Sequence, residues 1–219
     1  LKTNMISFLA GNYDYKANTY ETNKINLLSN PTSLYTKQPT VYYGLMYLAK
    51  NAKKEVKIHT PYIICNDYMY KELKNIKVPT TIMTNSAENN GNIFGAVDYL
   101  NHKKDIINTG VTIKEYEGGI SYHGKSMTID DDIAIVGSFN MDMRSAYIDT
   151  ELMLVINSKD INKQLKASME EYEKKAATVK NETEYSHIPE GMKMKELSDK
   201  KKNIKAWFGW AMNGLRFLF

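Results

Sequence analysis

His123-Gly-Lys-Ser-Met-Thr-Ile-Asp-Asp-Asp-Ile-Ala-Ile-Val-Gly-Ser-Phe-Asn140 decides the fold and the chemistry of this chain together. Met127 and Ile129 alternate with polar residues, and Ile133, Ile135 and Val136 follow an acidic turn at Asp130-Asp131-Asp132. That pattern predicts two short strands meeting at the turn. On a strand, residues two apart share a face, so His123 and Lys125 are expected to point the same way. Gly137-Ser138-Phe139-Asn140 then brings a second polar group to the end of the next strand. An imidazole, an ammonium, a hydroxyl and an amide converging is what attack on a phosphodiester needs. The imidazole attacks phosphorus while the cation and the neutral donors hold charge on the equatorial oxygens.

The stretch resembles the HKD motif of the phospholipase D superfamily, with every position of the motif filled. The resemblance continues through MDMRSAYIDTELMLVI, where Asp142, Arg144, Ser145 and Glu151 stand as they do in bacterial cardiolipin synthases and their relatives. Asp149 departs, since that family usually has Asn there. Upstream, Thr60-Pro61-Tyr62, Thr84-Asn85-Ser86, Gly110-Val111 and Glu115-Tyr116 are similar to the second half of such an enzyme. The similarity spans roughly residues 25–160.

The resemblance implies a phosphohistidine mechanism. Its catalytic set is His123, Lys125, Asp130 and Glu151, and its phosphate-holding set is Lys125, Ser138 and Asn140. His123 would form the covalent intermediate, and Glu151 would hydrogen-bond its other ring nitrogen. Asp130 lends its letter to the motif but is expected at a strand end in a structural role. Neither a metal nor a cofactor is implied. The implied reaction is phosphatidyl transfer, first of all cardiolipin synthesis from phosphatidylglycerol. Phospholipase D-type hydrolysis, or a dimeric single-motif nuclease, stands as the alternative. A catalytically dead scaffolding module would be expected to have lost Lys125 or Asn140, and both are present.

The family needs two such motifs, because one His attacks and the other protonates the leaving alcohol. No second one follows: His59 and His187 start no HxK, and His102-Lys103-Lys104 lacks the Asp and GS-x-N that should come after it. The chain therefore reads as the C-terminal lobe of a two-lobe enzyme whose N-terminal lobe is missing. A homodimer mate across the His123 face is the competing reading. His59, His102 and His187 are expected to be structural or solvent-facing. Asp142 and Arg144 are expected to form a structural pair, and Thr84-Asn85-Ser86 to be a turn or a substrate-lining segment.

The 219 residues can hold one domain with a sizeable core plus an appendage. A formal net charge of +4 is compatible with anionic lipid, and nucleic acid is not the expected partner. The single Cys65 excludes an internal disulfide and a cysteine-based metal cluster. No apolar run approaches the roughly 18 residues of a membrane span, and no secretory signal is visible.

Helical spacing at 41–51, 67–76 and 92–108 alternates with β-branched runs at 24–28, 56–58, 80–84, 111–113 and 151–156, and a long amphipathic helix is predicted over 161–177. This predicts an α/β lobe with a mixed β-sheet and helices on both faces, over residues 24–178. Residues 1–23 read as a connector or the tail of a missing lobe, 179–203 as a polar linker, and 204–219 as an amphipathic C-terminal helix. Ile204, Trp207, Phe208, Ala211, Leu215 and Leu218 form its stripe, beside Lys201, Lys202, Lys205 and Arg216. Such a helix is expected to lie on a membrane surface. With phospholipid as substrate, the expected location is peripheral, on the bacterial cell membrane.

Overall fold

The computed structural model describes residues 14, 16–17, 19–32, 35, 37–208, 214 and 216–218. Much of 1–23 and the side chains of Trp207, Phe208, Ala211 and Leu215 lie outside the described residues. In chain order the elements are β1 (Lys24–Ser29), α1 (Thr40–Lys50), β2 (Val56–His59), β3 (Ile63–Ile64), α2 (Asp67–Lys74), β4 (Thr80–Asn85) and α3 (Ile93–Asn108). There follow β5 (Thr112–Tyr116), β6 (Ser126–Ile129), β7 (Ile133–Gly137), β8 (Met141–Asp142), α4 (Met143–Tyr147), β9 (Leu152–Asn157) and α5 (Lys159–Glu173). The last are β10 (Ala176–Val179), β11 (Tyr185–His187), α6 (Asp199–Phe208) and a 3-10 turn at Arg216–Leu218.

Nine strands form one mixed sheet in the order β1-β9-β7-β6-β2-β4-β5-β10-β11. β2, β4 and β5 run parallel to one another, and the other neighbours pair antiparallel. Register aligns Ile113, Ile82, Ile58, Met127, Ile135 and Val155 in one row across six strands. All six are buried in the main core with the apolar faces of α1 and α2. On α1 those are Val41, Tyr42, Leu45, Met46 and Ala49, at helical spacing. The side chains one residue along, among them His59, Ser126 and Met83, face the other way, towards α5. Helices thus cover both faces, as the sequence predicts.

Asparagines set two of the helix starts. Asn66 accepts from the Met69 amide and Asn92 from those of Phe94 and Gly95. Gly110, at φ +88°, turns the chain out of α3 into β5.

Three expectations are corrected. The helix predicted to reach 177 stops at Glu173, and Ala176–Val179 instead pairs with the outer edge of β5, burying Ala176 and Ala177. The 179–203 segment is not a plain linker. β11 extends the sheet, Tyr185 donates to Glu115 Oε2 at 2.5 Å, and Lys201 is buried with its Nζ on the carbonyls of Ala87, Glu88 and Asn90. A lysine satisfied by three carbonyls reads as solvated in sequence. Among the described residues the C-terminal stretch runs as α6 and the 3-10 turn at Arg216–Leu218, in place of the one helix expected over 204–219. α6 starts at Asp199, and Arg216 is fastened to the lobe through Asp98 at 2.6 Å and the Cys65 carbonyl at 2.9 Å.

Candidate active site

β6 and β7 end side by side, and the site is built on their shared end. Residues 117–125 follow β5 as a loop, so His123 and Lys125 stand just ahead of β6 rather than on it. The Gly137 amide still donates to the Lys125 carbonyl at 3.2 Å, which carries the ladder one step into the loop. There is no room for a side chain at Gly137. A Cβ would lie 2.1 Å from the Leu152 carbonyl oxygen, so only glycine lets β7 approach β9 this closely.

His123 is exposed, and Lys125 Nζ lies 2.8 Å from its Nδ1 and 3.3 Å from its Nε2. Nζ also donates to the His123 carbonyl at 2.9 Å. An ammonium can approach a ring nitrogen this closely only where that nitrogen offers a lone pair. Desolvation and then the Lys125 charge hold the His123 pKa below the usual imidazole value. Both effects favour the neutral, nucleophilic ring. Desolvation also lowers the Lys125 pKa, against the opposing pull of the Glu151 and Asp142 carboxylates.

Behind this pair lies a hydrogen-bonded chain in which Glu151, Ser145 and Asp142 are buried, Asn140 is half-buried and Ser138 is exposed. Glu151 Oε2 accepts from the Ser138 hydroxyl, and Oε1 from the Ser145 hydroxyl at 2.9 Å. Ser138 Oγ in turn accepts from the Leu152 amide at 3.0 Å. Ser145 Oγ takes the Asn140 amide and side-chain Nδ2, each at 3.3 Å. Asp142 caps α4, accepting from the Ser145 amide at 2.6 Å, and burial pushes its carboxyl up to about 6. Asn140 Oδ1 is buried with no hydrogen-bond partner among the described residues.

The structure therefore brings His123, Lys125, Ser138, Asn140 and Glu151 to one end of the sheet. No hydrogen bond joins Glu151 to His123 as expected; its two oxygens accept from Ser138 and Ser145. Asp130 stands at the opposite end of β6. Its carboxylate accepts from the amides of Lys53, Lys54 and Glu55 at 2.7–3.2 Å, and the residue adopts φ +52°. Desolvation pulls its pKa up, but those three amides outweigh it and leave the carboxyl low. Asp130 ties down a loop and takes no place among the reacting groups. The expected Asp142–Arg144 pair is absent too, since Arg144 bonds Asp149 at 3.1 Å on the surface.

Sequence reasoning missed Tyr122, gave Thr60 no role of its own, and expected His59 to be structural or solvent-facing. Thr60 Oγ1 accepts from the Met141 amide at 3.0 Å, fixing the strand that follows Asn140. His59 is fully buried against Glu173 at 3.2 Å. No spacing in the sequence links these positions to His123. A cleft of about 580 Å³ opens beside His123, walled by Tyr116, Tyr122, Tyr172 and Met169. Among the described residues, no three His, Cys, Asp or Glu side chains converge as metal ligands.

The family model described as cardiolipin synthase, PLD-like domain, matches residues 45–172. Cardiolipin synthase 1 of Staphylococcus epidermidis (strain ATCC 12228 / FDA PCI 1200) is 30% identical over 159 residues, covering 71% of this chain and 32% of that protein. Cardiolipin synthase of Staphylococcus aureus (strain Mu50 / ATCC 700699) is 31% identical over 129 residues, covering 58% and 26%. The chain thus matches about a third or less of these relatives' length. Two solved structures share the fold at 16% identity. Phosphatidylserine synthase of Haemophilus influenzae Rd KW20 has a TM-score of 0.64, covering 89% of this chain and 48% of that one. Nuc, a phospholipase D family member from Salmonella typhimurium, has a TM-score of 0.57, covering 71% and 97%.

Proposed function

The chain belongs to the phospholipase D superfamily, in the family of cardiolipin synthase PLD-like domains, and from that premise we propose that it supplies one half of a phosphatidyltransferase site with His123 as nucleophile. The observation that carries this is the 2.8 Å approach of Lys125 Nζ to His123 Nδ1, in front of the Glu151–Ser138–Ser145 chain. An arriving phosphodiester draws the ammonium onto its own oxygens and frees the lone pair that the ammonium covers. A ring nitrogen of His123 then bonds phosphorus, and the bond from phosphorus to the head-group oxygen breaks. Lys125 and Asn140, with Ser138 in support, hold the charge on the phosphoryl oxygens. Glu151 acts through its charge on Lys125 and by orienting Ser138.

The departing alcohol takes a proton from an acid in a second motif-bearing half, either another lobe or a second copy of this chain. A second alcohol, the free hydroxyl of a phosphatidylglycerol, then attacks phosphorus, gives its proton back to that deprotonated acid, and the phosphorus–nitrogen bond to His123 breaks. Water in its place gives hydrolysis. Phospholipid as substrate and a peripheral seat on the bacterial membrane belong to the same proposal. Phe217 and Leu218 are exposed at the C-terminal end and available to a lipid surface. Among the described residues no helix is long and apolar enough to cross a membrane.

The test is turnover of phosphatidylglycerol and of a chromogenic phosphodiester in chelator, beside His123→Ala, with acid-labile label sought on the protein. Wild type is expected to keep its activity in chelator and to trap label. His123→Ala should lose roughly 10⁴-fold or more of kcat and all the label. Activity retained in that variant refutes the mechanism. Turnover by the 219-residue chain alone would assign the second half-site to another copy.

A further inference from the structure

Tyr122, the residue before His123, is held at three points. Its amide donates to Asn85 Oδ1 at 2.8 Å, its carbonyl accepts from Asn85 Nδ2 at 2.9 Å, and its phenol oxygen lies 3.2 Å from His59 Nδ1. Asn85 Nδ2 also donates to the Pro61 carbonyl at 2.9 Å, and Oδ1 accepts from Asn89 Nδ2 at 3.1 Å. All four hydrogen-bonding positions of the Asn85 amide are therefore in use, and the residue is 1% exposed. Asn89 extends the same brace, donating to the Ile120 carbonyl at 3.2 Å.

The place of this brace gives it meaning. β5 has ended at Tyr116 and β6 has not begun until Ser126, and the ladder bonds reach only Glu117 at one end and Lys125 at the other, so none steers Tyr122 or His123. An amide that grips both the N–H and the C=O of one residue does what a neighbouring strand would do. It does so at the residue whose peptide leads directly into the nucleophile. Buried polar groups satisfied this fully rigidify what they hold.

We propose that Asn85 is a positioning residue for His123, fixing the Tyr122 peptide and so setting the direction of the imidazole and its approach to Lys125. Asn85 acts through the backbone and touches neither the His123 ring nor the phosphodiester. The proposal rests on His123 as nucleophile for its kinetic consequence alone, since the orientation of the ring can be read without turnover. A reacting group displaced by about 1 Å can cost about 10²-fold in rate.

The experiment follows Asn85→Ala in two ways. The first is a ¹⁵N-histidine NMR titration of His123, its signals identified among the four histidines by their loss in His123→Gln. The second is steady-state kinetics on the phosphodiester, with cooperative thermal unfolding as the check of fold. The expected result is a folded variant in which the His123 midpoint moves up towards the ordinary imidazole value as contact with Lys125 loosens. In the same variant kcat should fall about 10²-fold while KM stays within about threefold. A folded variant whose His123 titration overlays the wild type overturns the proposal, whatever its rate. If Asn85→Ala does not unfold cooperatively, Asn89→Ala takes its place. Loss of its two bonds should move the midpoint the same way by less, and no movement again overturns the proposal. If His123→Gln keeps its activity, the nucleophile assignment fails, while the titration still decides the positioning.

Discussion

Asp142→Asn should make the protein more stable, and increasingly so as pH rises. Asp142 is 2% exposed, and burial raises its carboxyl from 3.8 to about 6, against the hydrogen bonds from Ser145 and with added repulsion from Glu151 and Asp149. Between those two values the native state keeps a proton that the unfolded state has already released. Stability therefore falls as pH rises through this window, and the penalty is fully present above about pH 6. A rise of about two pKa units is worth about 3 kcal/mol. Asparagine does not titrate, keeps an oxygen for the Ser145 amide, and caps helices about as well as aspartate. Its extra N–H donors add an offset that does not depend on pH. The stability of the variant minus that of the wild type should then grow by about 2.5 kcal/mol between about pH 4 and about pH 7.5. Glu173, held down to about 2 by His59 and Lys114 against desolvation, begins to lose its contribution as pH falls through about 4.5. His59 and His123, whose pKa values are lowered, lose stability as pH falls below the imidazole range. Both chains share these terms, so they cancel in the difference. Urea unfolding across the range measures it, and a difference that stays flat with pH refutes the assignment.

Asp130→Ala should cost about 2 kcal/mol, because the amides of Lys53, Lys54 and Glu55 lose their shared acceptor and alanine is strained at φ +52°. Turnover per folded molecule should not change. Urea unfolding beside kinetics checks both halves, and a loss of kcat in the folded variant would return Asp130 to the reacting set. Gly137→Ala should cost more than about 3 kcal/mol, since the new methyl meets the Leu152 carbonyl and β7 must leave β9. A variant that melts with the wild type would show that the two strands can separate cheaply here.

Different physics decided which features were legible in the sequence. The strands and helices from 24 to 173 carry their own periodicity, so Ile58, Ile82 and Ile113 disclosed a buried sheet before any register was known. The motif likewise put His123, Lys125, Ser138, Asn140 and Glu151 at one sheet end, where the structure has them. Partners, however, are set by register. Glu151 was assigned to His123 on family grounds, yet it is two serines, Ser138 and Ser145, that reach its oxygens. The C-terminal misreadings share one cause. Lys201 and Arg216 look solvated by composition, and each is instead held by groups distant in sequence: the Ala87, Glu88 and Asn90 carbonyls for one, the Asp98 carboxylate for the other. Asn85 is the sharpest case: the resemblance marked Thr84-Asn85-Ser86 only as a turn or a substrate-lining segment, because an asparagine that stands in for a missing strand has no period of its own. What selects it is the gap in pairing between β5 and β6, and that gap exists only once the chain is folded. The residues proposed to act on a phosphodiester can thus be found by type and spacing. Those that aim them are found only where the backbone lacks a partner and a side chain supplies one.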